Sequence, residues 1–277
     1  MTLRLGFSPC PNDTFIFDAL IHQRIDTEGL QFEVLLEDVE ALNQRAFQSD
    51  LDITKLSYHA YAFASHSYQL LHAGSALGNN CGPLLISQRP IPVEELSNCR
   101  IAIPGRFTTA NFLLGLAFPE ANNKEEVLFS DIERLVLNGQ FDAGLIIHEN
   151  RFTYQERGLR KIRDLGEYWE ETTQLPIPLG GIVAKRSLPL DLRQRIDRVL
   201  KRSVAHAFAH PDASTEYVRQ HAQEMDLQVM RQHIALYVND YSLDLGEKGR
   251  HAIEKMFAMA QQNNLVPDQP AELFVPA

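Results

Sequence analysis

The sequence is poor in cysteine and has no excess of positive charge. Cys10, Cys81 and Cys99 are the three cysteines among 277 residues, and no two of them have CxxC spacing. This excludes a disulfide-rich fold and favours reduced thiols in a cytoplasmic protein. The 26 Lys and Arg residues against 36 Asp and Glu residues give a formal net charge of -10. Nucleic-acid-binding domains usually have the opposite balance, so we expect no nucleic-acid partner.

Long apolar runs and a targeting signal are also missing. No stretch approaches the ~20 apolar residues that a transmembrane helix needs, so we expect no membrane partner. Residues 1–7 have the pattern of a strand and lack the basic and apolar regions of a signal peptide, which again predicts a cytoplasmic location. The composition, with 44% hydrophobic and 22% charged residues, is that of a globular protein with one large domain or two smaller ones.

Short apolar runs alternate with amphipathic segments along the chain. This alternation predicts an α/β fold with a largely parallel sheet. The predicted strands are 3–8, 31–37, 51–55, 68–73, 84–87, 100–103, 127–129, 143–147 and 182–185. The predicted helices are 13–22, 39–48, one beginning at 57, 108–118, 130–137 and most of 190–263.

Two proline-rich segments divide the chain. Pro90 and Pro92 cannot donate hydrogen bonds to a sheet, and residues 175–181 combine two prolines with two glycines. The helical C-terminal part has few strand patterns, so we expect it to complete the first sheet. We predict a large lobe of residues 1–97 and 184–277, a small lobe of residues 98–183, and a ligand cleft between the two lobes.

Polar residues follow two predicted strands of the first lobe. Asn12 can cap the next helix, or it can contact a ligand carboxylate beside the free amides of that helix start. Lys55, Leu56 and Ser57 lie where a strand leads into a helix, and ligands of α/β proteins collect at such strand ends. Ser57 can be a simple helix cap, whereas a lysine at the end of a buried strand requires an anionic partner.

A similar arrangement is predicted in the second lobe. Thr108 and Thr109 follow a strand and a glycine-containing loop at the start of a helix. One threonine can cap the helix while the other faces a ligand, and exposed amides would again favour an anion. The spacing is not that of a P-loop.

His148 is the candidate for proton transfer. It directly follows the buried strand pattern at 143–147. An imidazole has an unperturbed pKa of about 6.5, which suits a general base at neutral pH. The alternative is a structural histidine that is hydrogen-bonded at a strand end. Because no metal-ligand spacing of His, Cys, Asp or Glu occurs in the sequence, we predict no metal. Proton abstraction by His148 would need no cofactor, so we predict none.

Four segments, in this order, resemble one known family. They are SPCPNDTF at 8–15, TKLSYHAY at 54–61, GRFTTAN at 105–111 and IHENRFTY at 147–154. They are similar to the matching segments of the 1,4-dihydroxy-6-naphthoate synthases, which act in the futalosine route to menaquinone. The resemblance implies a two-lobed fold like that of the type 2 periplasmic solute-binding proteins.

The resemblance also implies an activity. These enzymes are carbon–carbon lyases that convert cyclic dehypoxanthinyl futalosine to 1,4-dihydroxy-6-naphthoate, and His148 stands where the family places its catalytic base. Residues 55–57, together with Thr108 and Thr109, match its substrate-contacting segments. The expected partner is therefore a small anionic aromatic substrate.

Other functions are compatible with the same fold. A small-anion-binding protein of the solute-binding kind would need an export signal, and a transcription-factor effector domain would need an attached helix-turn-helix. Chorismate dehydratase shares the fold, but the segments at 8–15 and 147–154 are more similar to the naphthoate synthase. The sequence leaves open whether the chain forms a homodimer.

Overall fold

Two units, each built around its own sheet, make up the chain. The computed structural model describes residues 2–147, 150–222, 226–263 and 265–276. The first unit consists of Met1–Gly78 and Pro178–Ala277, and the second unit is Asn79–Ile177. The first unit is thus discontinuous in sequence, while the second is a single contiguous segment.

The described residues form short strands and mostly short helices. The strands are β1 (Thr2–Phe7), β2 (Gln31–Leu36), β3 (Ile53–Ser57), β4 (Tyr68–Leu70), β5 (Ala76–Gly78), β6 (Leu84–Ser87), β7 (Ile101–Ile103), β8 (Lys124–Glu126), β9 (Ala143–Ile146), β10 (Arg160–Asp164) and β11 (Ile177–Lys185). The helices are α1 (Pro11–Ile21), α2 (Val39–Phe47), α3 (Tyr58–Ala64), α4 (Thr109–Ala117), α5 (Ile132–Leu137), α6 (Asn150–Thr153), α7 (Leu165–Thr173), α8 (Leu190–Ala209), α9 (Thr215–His221), α10 (Leu227–Tyr237), α11 (Asp240–Leu243) and α12 (Gly246–Gln262). The 3₁₀ turns are Val93–Asn98 and Phe129–Asp131. Among these described helices, none has the length and apolarity of a bilayer-spanning segment.

The sheet of the first unit has the strand order β2-β1-β3-β11-β4, and β5 pairs with β11. β1 is parallel to β2 and β3, whereas β11 is antiparallel to β3 and β4. Leu3, Leu5 and Phe7 alternate along β1 and belong to one buried core with Phe17 of α1 and Leu200 of α8. This alternation is the period of a strand with one face on the core. Because β1 and β3 are parallel neighbours, their carboxyl ends lie side by side.

The sheet of the second unit has the strand order β10-β6-β9-β7-β8. β7 is parallel to β8 and β9, and β6 is antiparallel to β9 and β10. Ile132 and Val136 of α5 are buried in one core with Ile86 of β6 and Ala102 of β7. A Cβ atom on Gly144 of β9 would lie 2.5 Å from Ile132 Cγ2, so this glycine lets α5 pack directly on the sheet.

The predicted α/β alternation is confirmed, but the prediction of a largely parallel sheet is wrong, because each sheet combines parallel and antiparallel strand pairs. Further differences lie at sheet edges. The strand expected at 127–129 is wrong, because β8 is Lys124–Glu126 and a 3₁₀ turn begins at Phe129. β10 was not predicted either. Both are edge strands rich in charge, and such strands carry no apolar signal in the sequence.

The unit boundaries differ from the predicted lobe boundaries at 97/98 and 183/184. β6 pairs with β9 and β10, so the segment at 84–87 belongs to the second unit. Residues 180–184 of β11 pair with β3, so they belong to the first. The prolines at 90 and 92 therefore lie within the second unit and do not mark a crossing.

Candidate active site

The N-terminal motif forms the turn between β1 and α1. α1 begins at Pro11 with Cys10 as its N-cap residue, so Asn12 and Asp13 lie in the first turn. The interpretation of Asn12 as the helix cap is wrong, because Pro11 at the first helical position places the cap at Cys10. The amides of Asp13 and Thr14 donate to the Cys10 carbonyl at 3.1 and 3.0 Å. Those two amides are therefore bound within the chain rather than free for a carboxylate.

A buried ion pair joins this turn to β3. Lys55 Nζ donates to Asp13 Oδ1 at 2.7 Å. The two side chains are 7% and 1% exposed, so water scarcely screens the pair. Sequence reasoning required an anionic partner for Lys55, and Asp13 of the same chain supplies one.

Asp13 is the centre of a larger hydrogen-bond network. Its Oδ1 also accepts a bond from Asn12 Nδ2 at 2.8 Å. Its Oδ2 accepts bonds from the hydroxyl and the amide of Ser8 at 2.7 and 3.3 Å. Asn12 and Lys55, both predicted as substrate-binding residues, are thus brought together by one carboxylate oxygen.

His233 of α10 extends the network from the other side. Its Nε2 lies 2.9 Å from Asn12 Oδ1, and the residue is 1% exposed. Because Asn12 donates through Nδ2 to Asp13, its Oδ1 is the acceptor and His233 Nε2 carries the hydrogen. No local pattern predicts this contact, because the two residues are 221 positions apart in the sequence.

Ser57 ends β3 and precedes α3. It occupies the N-cap position, but its hydroxyl is not bonded to the helix backbone that the structure describes. Instead, Asn43 Nδ2 donates to Ser57 Oγ at 3.3 Å, and the Ser57 amide donates to Asn43 Oδ1 at 3.1 Å. A hydroxyl that accepts one bond still has a proton to donate, so Ser57 can act as a donor at the carboxyl end of β3.

Gly180 and Gly181 of β11 pair with Ser57 and Leu56 in antiparallel register. A Cβ atom on Gly180 would lie 2.7 Å from the Leu56 carbonyl oxygen, and one on Gly181 would lie 2.9 Å from the Tyr58 hydroxyl. The two glycines therefore let β11 lie in close contact with β3 and with Tyr58. Leu56 itself is buried.

In the second unit, Thr108 and Thr109 lie at the start of α4. Thr108 Oγ1 accepts a bond from the Asn111 amide at 3.2 Å and donates to the Gly105 carbonyl at 2.8 Å. Thr108 is therefore the capping threonine of the predicted pair. Thr109 is the first helical residue and is 3% exposed. It remains the threonine whose predicted contact is with the ligand.

His148 and Glu149 lie outside the described residues, so the structure does not test the predicted base. The residues that follow are firmly anchored. Asn150 Nδ2 donates to Glu133 Oε2 at 2.7 Å, and Arg157 donates to the same oxygen. Glu133 is 2% exposed, and this burial raises the pKa of its carboxyl, whereas Arg157 and Asn150 act in the opposite direction.

The cysteines do not provide a nucleophile. Cys10, Cys81 and Cys99 are all buried. Burial raises the pKa of the Cys81 thiol to about 12, which keeps it protonated at neutral pH. Within the described ranges, no three His, Cys, Asp or Glu side chains are grouped so that they could hold a metal ion.

Solved structures with a similar chain define the class of fold. A protein from Archaeoglobus fulgidus is 36% identical, with a TM-score of 0.91 over 96% of this chain and 98% of that chain. The ligand-binding component of an ABC-type import system from Staphylococcus aureus is 13% identical, with a TM-score of 0.73 over 100% and 96%. An alkanesulfonate-binding protein from Xanthomonas axonopodis is 15% identical, with a TM-score of 0.71 over 99% and 96%. The predicted α/β fold of the periplasmic solute-binding proteins is confirmed.

Sequence relatives define the family more narrowly. A family model described as menaquinone biosynthesis matches residues 3–262. The 1,4-dihydroxy-6-naphthoate synthase of Thermus thermophilus is 48% identical over 99% of both chains. The synthase of Streptomyces coelicolor is 42% identical over 96% of this chain and 95% of its own. The chain belongs to this menaquinone-biosynthesis family of enzymes, and the resemblance inferred from the four motifs is confirmed.

Proposed function

We propose that the chain is a 1,4-dihydroxy-6-naphthoate synthase that acts as a carbon–carbon lyase on cyclic dehypoxanthinyl futalosine. The observation that carries this proposal is the identity of 48% and 42% over nearly the full length with two enzymes of that name. The four motifs that resemble the family contain Asn12, residues 55–57, Thr108 and Thr109, and His148. We also expect a cytoplasmic enzyme that requires no cofactor.

The proposed substrate carries a carboxylate on an aromatic ring. In the first unit, Asn12 and residues 55–57 would contact this substrate, with the Ser57 hydroxyl as a donor that Asn43 holds in place. In the second unit, Thr109 would contribute a further hydroxyl, while the Thr108 hydroxyl keeps α4 in position. Hydroxyl and amide donors of this kind stabilise oxyanion charge as it develops in a transition state.

His148 would act as the general base in this scheme. Proton abstraction from the substrate would start the carbon–carbon cleavage, with the hydroxyls and amides stabilising the oxyanion. General base catalysis contributes about 10²–10⁴-fold in rate. Positioning of the substrate must supply the remaining acceleration.

Turnover by the purified protein tests the activity. We expect release of 1,4-dihydroxy-6-naphthoate from cyclic dehypoxanthinyl futalosine, measured by chromatography and mass spectrometry. Tight substrate binding without product would contradict the lyase assignment and favour a binding protein. Turnover of chorismate in place of the futalosine substrate would instead assign the related dehydratase activity.

Substitution of the base tests its role. His148→Asn should bind substrate normally and lose about 10²–10⁴-fold in kcat, the share expected of a general base. His251→Asn is the matched control, because His251 is an exposed histidine on α12. Turnover of His148→Asn close to that of the wild type would assign the proton transfer to another group.

A further inference from the structure

We propose that Asp13 is a positioning residue of the substrate site and that it neutralises Lys55. The anionic substrate would then be held in the first unit by hydrogen-bond donors rather than by an uncompensated ammonium group. This inference deepens the proposed function and rests on it for the identity of the substrate. It assigns the anionic partner that the sequence predicts for Lys55 to Asp13 and not to the substrate.

The geometry around Asp13 shows a fully used carboxylate. Its two oxygens accept four hydrogen bonds from Ser8, Asn12 and Lys55, all within 3.3 Å. Asp13 is 1% exposed, so these donors replace the water that an ionised carboxylate needs. A carboxylate with this many hydrogen bonds holds the side chains that donate to it in fixed positions.

The charge of the pair follows from the same contacts. An ammonium nitrogen 2.7 Å from a carboxylate oxygen forms a pair with no net charge. A second anion that approached Lys55 would meet the attraction of Nζ together with the repulsion of Asp13. In a buried site this repulsion is weakly screened, so Lys55 is a poor point for recruiting a carboxylate.

The orientation of Asn12 depends on the same oxygen. Asn12 Nδ2 and Lys55 Nζ both donate to Asp13 Oδ1, at 2.8 and 2.7 Å. Asn12 Oδ1 therefore turns towards His233 Nε2, at 2.9 Å. One carboxylate oxygen of α1 thus fixes the side chains that β3 and the first helical turn offer to the substrate.

Asp13→Asn tests the inference, because it removes the negative charge and keeps the shape. The variant leaves Lys55 without a counter-charge, so inorganic sulfate should bind there. We expect sulfate to compete with the product 1,4-dihydroxy-6-naphthoate at a concentration about tenfold lower than in the wild type. We also expect kcat to fall by at least about tenfold, because an amide has one acceptor oxygen, for which Ser8, Asn12 and Lys55 would then compete. Displacement of bound product can be followed by fluorescence, without turnover.

Asp18→Asn is the matched control. Asp18 lies on the same helix, is 2% exposed, and pairs with His22 and Arg24 at 2.9 and 3.1 Å. This control should lower the thermal unfolding temperature and leave sulfate competition unchanged. If Asp13→Asn behaves in the same way as Asp18→Asn, Asp13 is only structural and the inference is wrong.

The double variant Asp13→Asn/Lys55→Met covers the case in which the single variant does not fold. It removes both charges, so no buried charge is left without a partner. We expect it to bind the naphthoate product more tightly than Lys55→Met alone, because that single variant leaves the Asp13 carboxylate without its counter-charge. Equal losses of affinity in the two variants would show that the Lys55 ammonium itself binds the carboxylate and would overturn the inference. Failure of wild-type turnover alone would contradict the proposed function and not these binding results.

Discussion

Arg151 Nη2 lies 2.8 Å from Asp164 Oδ2, while the other oxygen of Asp164 caps α7. The Arg151 side chain is 15% exposed and that of Asp164 is 3% exposed, so the pair is largely buried. Arg151 also donates to the Gly82 carbonyl. The Asp164 carboxylate therefore links Arg151, in the segment that follows His148, to the start of α7, while the Arg151 guanidinium links that segment to the residues before β6.

Two substitutions of Asp164 should destabilise the protein to different extents. Asp164→Asn keeps an acceptor for the amides of Gly166 and Glu167 but removes the counter-charge of Arg151, whereas Asp164→Ala removes both. We expect the alanine variant to lose about 2–5 kcal/mol of unfolding free energy and the asparagine variant to lose less. Urea denaturation measures both values.

Arg134→Ala is the control for that experiment. Arg134 pairs with Asp131 at 3.0 Å, but the two side chains are 60% and 44% exposed. An exposed pair contributes about 0–1 kcal/mol. Equal losses in Arg134→Ala and Asp164→Ala would contradict the structural role assigned to Asp164.

Glu133 should make stability fall as the pH rises. Burial raises the pKa of its carboxyl above the ordinary value of 4.5, so the folded state binds this proton more tightly than the unfolded state does. The stabilisation is complete below about pH 4.5 and is lost as the pH rises through the folded-state pKa. The difference in unfolding free energy between wild type and Glu133→Gln should change in this direction, as a series of denaturation curves would show. A difference that is constant with pH would contradict the raised pKa, and Glu156→Gln, at an exposed position, is the control.

Glu28 should make stability fall as the pH falls, which is the opposite of the effect of Glu133. Hydrogen bonds from Arg198 and Arg202 lower the pKa of Glu28 from 4.5 to about 2. The resulting stabilisation is present above about pH 4.5 and is lost as the pH falls towards 2. Thermal unfolding of Glu28→Gln should therefore differ from that of the wild type at neutral pH and converge with it in acid. High salt should reduce the neutral-pH difference, since these side chains are partly exposed. The prediction fails if the difference persists in acid.

Two glycines of the second unit should respond oppositely to alanine. A Cβ atom on Gly82 would lie 2.1 Å from the amide nitrogen of Gly166, so Gly82→Ala must push two backbone segments apart. A Cβ atom on Gly115, within α4, would meet only Lys124 Nζ at 4.0 Å. We expect Gly82→Ala to be strongly destabilising and Gly115→Ala to stabilise the helix by about 0.5–1 kcal/mol. Thermal unfolding of the two variants checks both signs, and similar shifts would contradict the close contact of Gly82 with Gly166.

The features of the fold that depend on neighbouring residues were predicted from the sequence. The strand pattern of β1 and the presence of a capping threonine at the start of α4 are set by neighbouring residues, and both were predicted. Which of the two threonines caps the helix was not predicted. The charged edge strands β8 and β10 have no apolar alternation, so they were missed. The start of α1 was misplaced because Pro11 could be interpreted as a turn residue as well as a first helical residue.

The sequence predicted individual residues of the site but not the hydrogen bonds that join them. Lys55 and Asn12 were both singled out, yet the contact of each with Asp13 depends on how β3 lies beside β1. The contact of Asn12 with His233 depends on how α10 packs against α1. Such contacts come from tertiary packing, which no single segment of the chain encodes.

The position of β11 has a consequence for the order of folding. β11 lies between β3 and β4, but it is synthesised after the whole of the second unit. Until Lys185 has left the ribosome, β3 and β4 lack the strand that pairs with both of them in the native sheet. The contiguous segment Asn79–Ile177 has no such gap. All five strands of its sheet, β6 to β10, lie within that segment. During synthesis, the second unit can thus mature first, while the first unit waits for its central strand.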